Sequence, residues 1–328
     1  MEISEFEIIR KIRSLKAEIQ RKAVVGIGDD AAVLESSKDK LILFTTDTLV
    51  EDVHFKWEYI TPWQIGWKAL AVNASDIAAM GGYPTFFLVT LGIPPKTSSL
   101  TIEEIYKGLE KLSSQLNTEL IGGDIVRSPI FFITISLLGE VETNKVILRS
   151  GAKPGDMVYL TGDIGASAAG LFCLSEKETS IEPSIREFLK IRHLMPMPKV
   201  KEGREIAEKD LATSMIDISD GLTSDLHHVL EESDVGAKIW ADRIPIAEET
   251  KRALSKLKKP YLEFALQGGE DYELLFTSSA KDVEENLSFP VTKIGKIIEE
   301  KEFFLINERG EKVKLKPTGW DHFRSDFP

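Results

Sequence analysis

The stretch from Val24 to Leu34, VVGIGDDAAVL, decides the fold, because it admits two readings. Its Gly26-Ile-Gly28-x-x-Ala31 core matches in part the glycine pattern that turns a strand into a helix and seats a pyrophosphate on that helix's N-terminus. Asp29 and Asp30, however, stand where the anion would sit. Two like charges about 4 Å apart repel by roughly 4 kcal/mol at a surface-like dielectric. The residues that follow choose between the readings. ESSKDK is a turn signal, and LILFTTDTLV (41–50) is rich in β-branched and aromatic residues. Val24–Leu34 and Leu41–Val50 are therefore expected to be paired strands of a hairpin. The strand–turn–helix order of a dinucleotide fingerprint fails. What positive charge the two aspartates face is left open.

Further along, Thr61-Pro62 is a cap followed by a first-position proline, and WQIGWKALAVNASDIAAM runs from there to the Gly81-Gly82 stop. The helix is apolar nearly all round and should be buried; Asn73 and Asp76 are exceptions one turn apart. TFFLVTLGI and PIFFITISLLGEV read as strands with both faces covered. Between them, TIEEIYKGLEKLSSQL reads as an amphipathic helix. The order is strand, strand, helix, strand, helix, strand: an α+β domain with helices over one sheet face. Strands so apolar also suggest a sheet completed by another subunit. A charged turn at Glu142–Asn144 sets the boundary between residues 1–142 and 143–328. The second part again mixes strands (MVYLTG, SMIDIS, YELLFT) with helices and ends in PTGWDHF.

Bulk properties narrow the class. A chain of 328 residues is long enough for two domains, and 42% hydrophobic with 29% charged residues is ordinary for a soluble protein. No apolar run approaches a membrane span. The start, MEISEFEIIRKIRSL, reads as an amphipathic helix capped by Ser4, not a signal peptide. One cysteine, Cys173, excludes an intramolecular disulfide and fits a reducing cytoplasm. With 53 acids against 41 bases and no basic run, a nucleic-acid surface is not expected.

The acids fall in unusual places. Leu41, Leu43, Thr45 and Asp47 share one strand face by the period of two. Asp76 lies inside an apolar helix. Asp124 follows Gly122-Gly123, which would let a ligand approach the backbone closely. Asp217, Ser219 and Asp220 leave an apolar strand, and Glu270 and Asp271 follow Gly268-Gly269. Each alone is an ordinary turn or helix cap. Together they are not, because turns and caps do not explain Asp76 or Asp47, and buried carboxylates need counter-charges. Carboxylates with the hydroxyls of Thr45, Thr46 and Ser219, and no clustered Cys or His, suit Mg²⁺ better than Zn²⁺. Asp29 and Asp30 would then face phosphates through metal ions. His193, His227, His228, His322 and Cys173 read as packing or surface residues.

Eight motifs, in order along nearly the whole chain, carry a resemblance: GIGDDAAV, TTDTLVEDVHF, KALAVNASDIAAMGG, LIGGD, RSGAKPGD, IDISDGL, GGEDYELLF and GWDHF. The set resembles the thiamine-monophosphate kinases, within the aminoimidazole-ribonucleotide-synthetase-like superfamily of ATP-using proteins. The resemblance implies transfer of the ATP γ-phosphoryl group to thiamine monophosphate in the presence of several Mg²⁺ ions. It also implies a homodimer whose N-terminal strands form a shared barrel. Matched by motif, the metal ligands would be Asp30, Thr45, Thr46, Asp47, Asp76, Asp124, Asp217 and Asp220. ATP contacts would be Tyr106, Gly123, Asp124, Arg149 and Ser219, and substrate contacts His54, Glu270 and Trp320. Asp47, Asp76, Asp124, Asp217 and Asp220 would carry the catalysis. Neither a Gly-x-x-x-x-Gly-Lys-Ser/Thr loop nor the protein-kinase motifs occur. Rival readings are another ATP-dependent synthetase of the superfamily and a non-catalytic nucleotide- or metal-binding protein. A selenophosphate synthetase would need a reactive Cys or selenocysteine near the N-terminus, and none is there.

Overall fold

The structure, a computed structural model, describes residues 24, 29–35 and 39–319. The N-terminal helix and the Trp320 tail expected from the sequence lie outside the described residues.

The opening stretch does pair as a hairpin. Strand β1 (Ala32–Glu35) runs antiparallel to β2 (Lys40–Val50), with Val33 opposite Leu43. The chain then enters α1 (Pro62–Ala79), whose N-terminus is closed by a reciprocal Thr61–Gln64 capping box ahead of the proline. Strand β3 (Tyr83–Ile93), helix α2 (Ser99–Leu116), β4 (Glu119–Arg127) and β5 (Phe132–Glu142) complete a five-stranded sheet in the order β1-β2-β5-β3-β4. All pairs are antiparallel except β3–β4. Helices α1 and α2 cross at two glycines: a Cβ on Gly66 would meet the Ile105 carbonyl oxygen at 1.9 Å, and one on Gly108 the Trp63 carbonyl oxygen at 1.9 Å. The helices therefore touch backbone to backbone.

Within the chain, the long strands are covered on one face: burial in β5 alternates residue by residue. Its inner side chains pack beneath the helices and its outer ones stay partly open, as the period of two dictates when a single helical layer lies on the sheet. Strand β4 was also not expected, because Gly122-Gly123 weakens its signal. All nine of its residues are exposed.

The second sheet has seven strands in the order β12-β11-β8-β10-β6-β9-β7. They are β6 (Met157–Leu160), β7 (Ser214–Asp217), β8 (Gly236–Trp240), β9 (Leu274–Ser278), β10 (Thr292–Ile298), β11 (Phe303–Ile306) and β12 (Lys312–Lys314). Only β8 and β11 pair in parallel. Its helices are α3 (Ala166–Ser175), α4 (Pro183–Leu194), α5 (Val200–Glu208), α6 (Leu222–Ser233), α7 (Glu248–Lys256), α8 (Tyr261–Gln267) and the single turn α9 (Val283–Asn286).

Helix α1 belongs to both halves. The Trp67 indole N–H donates to the Pro196 carbonyl at 2.8 Å, and a Cβ on Gly203 of α5 would meet the Ala78 carbonyl at 2.3 Å. Arg204 of α5 donates to the Gly81 carbonyl at 2.7 Å and pairs with Glu142 at the end of β5. This contact places one edge of the second sheet, β7, beside the acids of the first. Among the described residues, no helix is long and apolar enough to cross a membrane.

Candidate active site

Three carboxylates converge where the two sheets meet. Asp30 comes from the turn before β1, Asp76 from the last turn of α1 and Asp217 from the end of β7. Oxygens of all three lie within 4.8 Å of one another. The sequence places them there by separate means. Asp76 shares the β2-facing side of α1 with Asn73, whose Oδ1 accepts from the Asp47 N–H at 3.0 Å. The Thr45 hydroxyl donates to Asp76 across the same gap. Asp217 is the last residue of a strand buried throughout, and the Ser75 hydroxyl of α1 donates to it at 2.6 Å.

Arg149 supplies the positive charge that Asp30 requires. Its Nε and Nη2 donate to the two Asp30 oxygens at 3.0 and 2.6 Å, a bidentate fork. Its backbone N–H donates to Asp29 at 3.3 Å. One guanidinium does not neutralise the cluster. Burial, then the negative charge of Asp30, pushes the Asp217 carboxyl up to about 8. Asp76 is driven well above the usual range by desolvation and by Asp47, Asp217 and Asp30. Asp29 is pushed up to about 7 by burial and by Asp30. Carboxylates that strain against ionisation, with hydroxyls among them and no imidazole or thiol, make a donor set for a hard divalent cation. These residues fit Mg²⁺.

A second group lies on the β7 side. The loop Gly268–Tyr272 is laid along the strand's exit: Glu270 N–H donates to the Ser219 carbonyl and Tyr272 N–H to the Ile218 carbonyl, each at 2.8 Å. Gly269 permits this closeness, since a Cβ there would meet the Ser219 oxygen at 2.3 Å. The Glu270 side chain pairs with the buried Lys68 of α1 at 3.0 Å and lies 3.2 Å from His193 Nδ1 of α4, which also meets the Ser167 hydroxyl at 3.1 Å. The turn at Asp220 and Gly221 is held by the buried Asp225 carboxylate, which accepts both their N–H groups at 3.2 and 3.0 Å.

The structure sorts the residues expected from the sequence. Asp30, Thr45, Asp76, Arg149 and Asp217 are brought together by direct contacts. Asp47 stands beside them through its backbone bond to Asn73 and its charge on Asp76. Ser219 and Asp220 continue the chain from Asp217. Thr46 points to the outer face of the first sheet, where its hydroxyl meets the Ile135 carbonyl and Ser136. Asp124, paired in register with Thr90, lies on that outer face too, and one of its oxygens accepts from the next N–H. Gly123 allows close contact with β3, because a Cβ there would meet the Val89 carbonyl oxygen at 1.9 Å. Tyr106 is half-buried on α2 against the first domain's core. His54 accepts from the Val50 N–H at 3.1 Å and closes the turn after β2. Trp320 is outside the described residues. Asp271 accepts from the N–H groups of Gly165 and Ser167, so it caps α3. Lys68, Ser75 and Asp225 were missed. The argument applied to Asp76, a polar side chain in an apolar helix, finds Lys68 equally well.

The chain resembles known proteins over both halves. The profile of the AIR synthase related protein N-terminal domain matches residues 28–141, and that of the C-terminal domain matches residues 153–306. The chain is 39% identical to the thiamine-monophosphate kinase of Bacillus subtilis over 332 residues, covering 98% of this chain and all of that one. It is 38% identical to the Escherichia coli (strain K12) thiamine-monophosphate kinase, covering 98% and 99%. Among solved structures, AaThiL complexed with AMPPCP and TMP superposes with a TM-score of 0.86 at 35% identity, covering 98% of each chain. With full-length identity at this level and both domain profiles matched, the chain belongs to the thiamine-monophosphate kinase family of AIR synthase-related proteins.

Proposed function

We propose that this protein phosphorylates thiamine monophosphate to thiamine diphosphate with ATP, by direct in-line transfer. The observation that carries the mechanism is the meeting of Asp30, Asp76 and Asp217 from three distant parts of the chain. Joining two phosphate-bearing substrates is chiefly a problem of mutual repulsion, and phosphoryl transfer asks the protein for positioning and charge stabilisation. A phosphate oxygen of the acceptor forms a bond to the γ-phosphorus as the bond to the departing ADP oxygen breaks. That acceptor is already ionised at neutral pH, so no side chain need remove a proton.

Mg²⁺, held by Asp30, Thr45, Asp47, Asp76, Asp217 and Asp220, would supply positive charge between the two sets of phosphates. The protein's own residues do the rest. Thr45, Ser75 and Asn73 fix the acids, and Arg149 holds Asp30 while presenting a cation at the cluster. Ser219 and Tyr106 are assigned to ATP, and His54, Glu270 and Trp320 to the acceptor. Trp320 and Glu270 suit a cationic thiazolium, one as an aromatic face and the other as a charge. The division into residues 1–142 and 143–328 then separates the domain carrying Asp47 and Asp76 from the domain carrying Asp217 and Asp220. The lone, buried cysteine agrees with a cytoplasmic setting.

The outer face of the first sheet supports a homodimer. Phe44, Phe86 and Leu88 are each more than 40% exposed there, next to the open strand β4, and a patch of this kind marks an interface. Thr46 and Asp124, carried on that face, would be covered by the second subunit. Sedimentation at twice the chain mass is expected; a monomer at micromolar concentration contradicts it.

The activity is tested with ATP, Mg²⁺ and two acceptors. Thiamine monophosphate should give thiamine diphosphate, and unphosphorylated thiamine should react at least about a hundredfold more slowly, since the missing phosphate removes the charge the acids' cation would bind. Equal rates with both acceptors would overturn the charge-bridged mechanism. ATP binding without any product would overturn the kinase reading.

A further inference from the structure

Lys68 is the one buried lysine in the described core, fully shielded from solvent, and it pairs with Glu270. It belongs to the first domain, whereas Glu270 and His193 belong to the second. The Lys68 ammonium lies 3.0 Å from Glu270 Oε1 and 3.1 Å from Oε2, and His193 Nδ1 lies 3.2 Å from Oε2. The same Nδ1 lies 3.1 Å from the Ser167 hydroxyl, so the imidazole sits between that hydroxyl and the carboxylate. Lys68 and His193 are both buried, while the Glu270 side chain remains 26% accessible. The carboxylate is thus gripped from behind and open in front. Its own backbone sits at a φ of +63°, a left-handed conformation held by the bond to Ser219. Burial raises the Glu270 carboxyl, but Lys68 and then His193 more than offset it, and the group is held below its usual range. Helix α1 carries Lys68 and Asp76 eight residues apart, a rise of about 12 Å. One rigid element therefore sets both the acid cluster and the orientation of Glu270.

A buried ion pair is weak evidence for stability, because the desolvation of both charges consumes most of the attraction. Its value lies in fixing one geometry. We infer that Lys68 is a positioning residue for acceptor recognition, locking the Glu270 carboxylate, with His193 packed beside it, toward the ring end of the phosphate-bearing acceptor. The inference rests on the assignment of Glu270 to the acceptor, and the experiment separates the two.

Initial rates with varied thiamine monophosphate and varied ATP are measured for Lys68→Met, Lys68→Arg, Glu270→Gln and the K68M/E270Q double variant. Loss of a charge-assisted bond predicts a rise in KM for thiamine monophosphate of about tenfold or more in K68M and E270Q, with kcat and the KM for ATP within about twofold. K68R should recover most of the loss, and the double variant should be no worse than E270Q alone. If E270Q raises that KM and K68M does not, the role of Lys68 is overturned while Glu270 keeps its assignment. If E270Q changes nothing, the assignment of Glu270 falls, and the inference with it. A loss spread equally over kcat and both KM values in K68M would show a structural role only, and would overturn the proposal. Should K68M not fold, Lys68→Gln carries the same expectation and the same refutation.

Discussion

Asp76→Asn is expected to lower kcat by about a thousandfold, the scale found when one preorganised group is removed from a site that stabilises developing charge. The same change should raise the melting temperature of the metal-free protein. Asp76 is held well above its usual range by desolvation and by the charges of Asp47, Asp217 and Asp30, so in the absence of a cation its ionised form works against the fold. Asparagine keeps the size and can still accept from the Thr45 hydroxyl, but it removes the charge. Relief of that repulsion should be worth about 1–2 kcal/mol, the usual range for a function-stability exchange at an active site. Product formation by chromatography and thermal melts in a chelator measure the two effects on one preparation. A variant within threefold of the parent rate would remove Asp76 from the site. A variant with lost activity and a lowered melting temperature would mean that the substitution acts through packing.

The acids were legible in the sequence because they broke local rules. A carboxylate inside an apolar helix, or on the inward face of a strand, has no cheap structural explanation, and Asp76 and Asp47 stood out for that reason. Asp30 was legible only as a question, since its partner Arg149 lies 119 residues away and long-range register fixes the pairing. The hairpin and α1 were legible from turn chemistry and capping, both of which act over a few residues. Strand β4 was hidden because glycine is ambiguous: Gly123 reads as room for a ligand, and it also lets the backbone lie close against the Val89 carbonyl. Thr46 sits beside Asp47 of the inner face, yet the two-residue period of its strand turns it outward, and the register of β4 with Thr90 does the same for Asp124. Lys68 was passed over inside its helix, although the reasoning that singled out Asp76 applied to it unchanged. The order of the seven-stranded sheet could not be read at all, since it depends on contacts between short strands far apart in the chain.

Without metal, the protein should become less stable as pH rises from about 6.5 to 8.5. Asp29 is pushed up to about 7 and Asp217 to about 8 from an ordinary 3.8, and Asp76 moves in the same direction. Over the interval between the ordinary and the raised values, the folded state holds protons that the unfolded chain has lost. Stability then falls with pH, by the sign of the difference in bound protons. His193 acts the other way: burial lowers it from 6.5 to about 3, so its contribution to stability rises with pH and is complete near 6.5. Glu205, lowered to about 2 by Lys209 and Ser288, also finishes its contribution in the acid range. Above pH 6.5 the raised aspartates slope the curve, and outside the cluster burial drives Asp225 well above its usual range and Asp271 up to about 7, with the same sign. Since the clustered aspartates ionise at each other's expense, a total loss of about 2–4 kcal/mol is expected rather than the sum of separate shifts. Mg²⁺ competes with those protons, so its stabilising effect should grow across the same interval and flatten the curve. Urea melts at pH 6.5, 7.5 and 8.5, with chelator and with millimolar Mg²⁺, give both curves. Asp76→Asn should reduce the metal-free slope. A metal-free protein that gains stability toward pH 8.5 would mean that these carboxylates are already ionised and neutralised by the protein itself, leaving the cluster no reason to take up a cation.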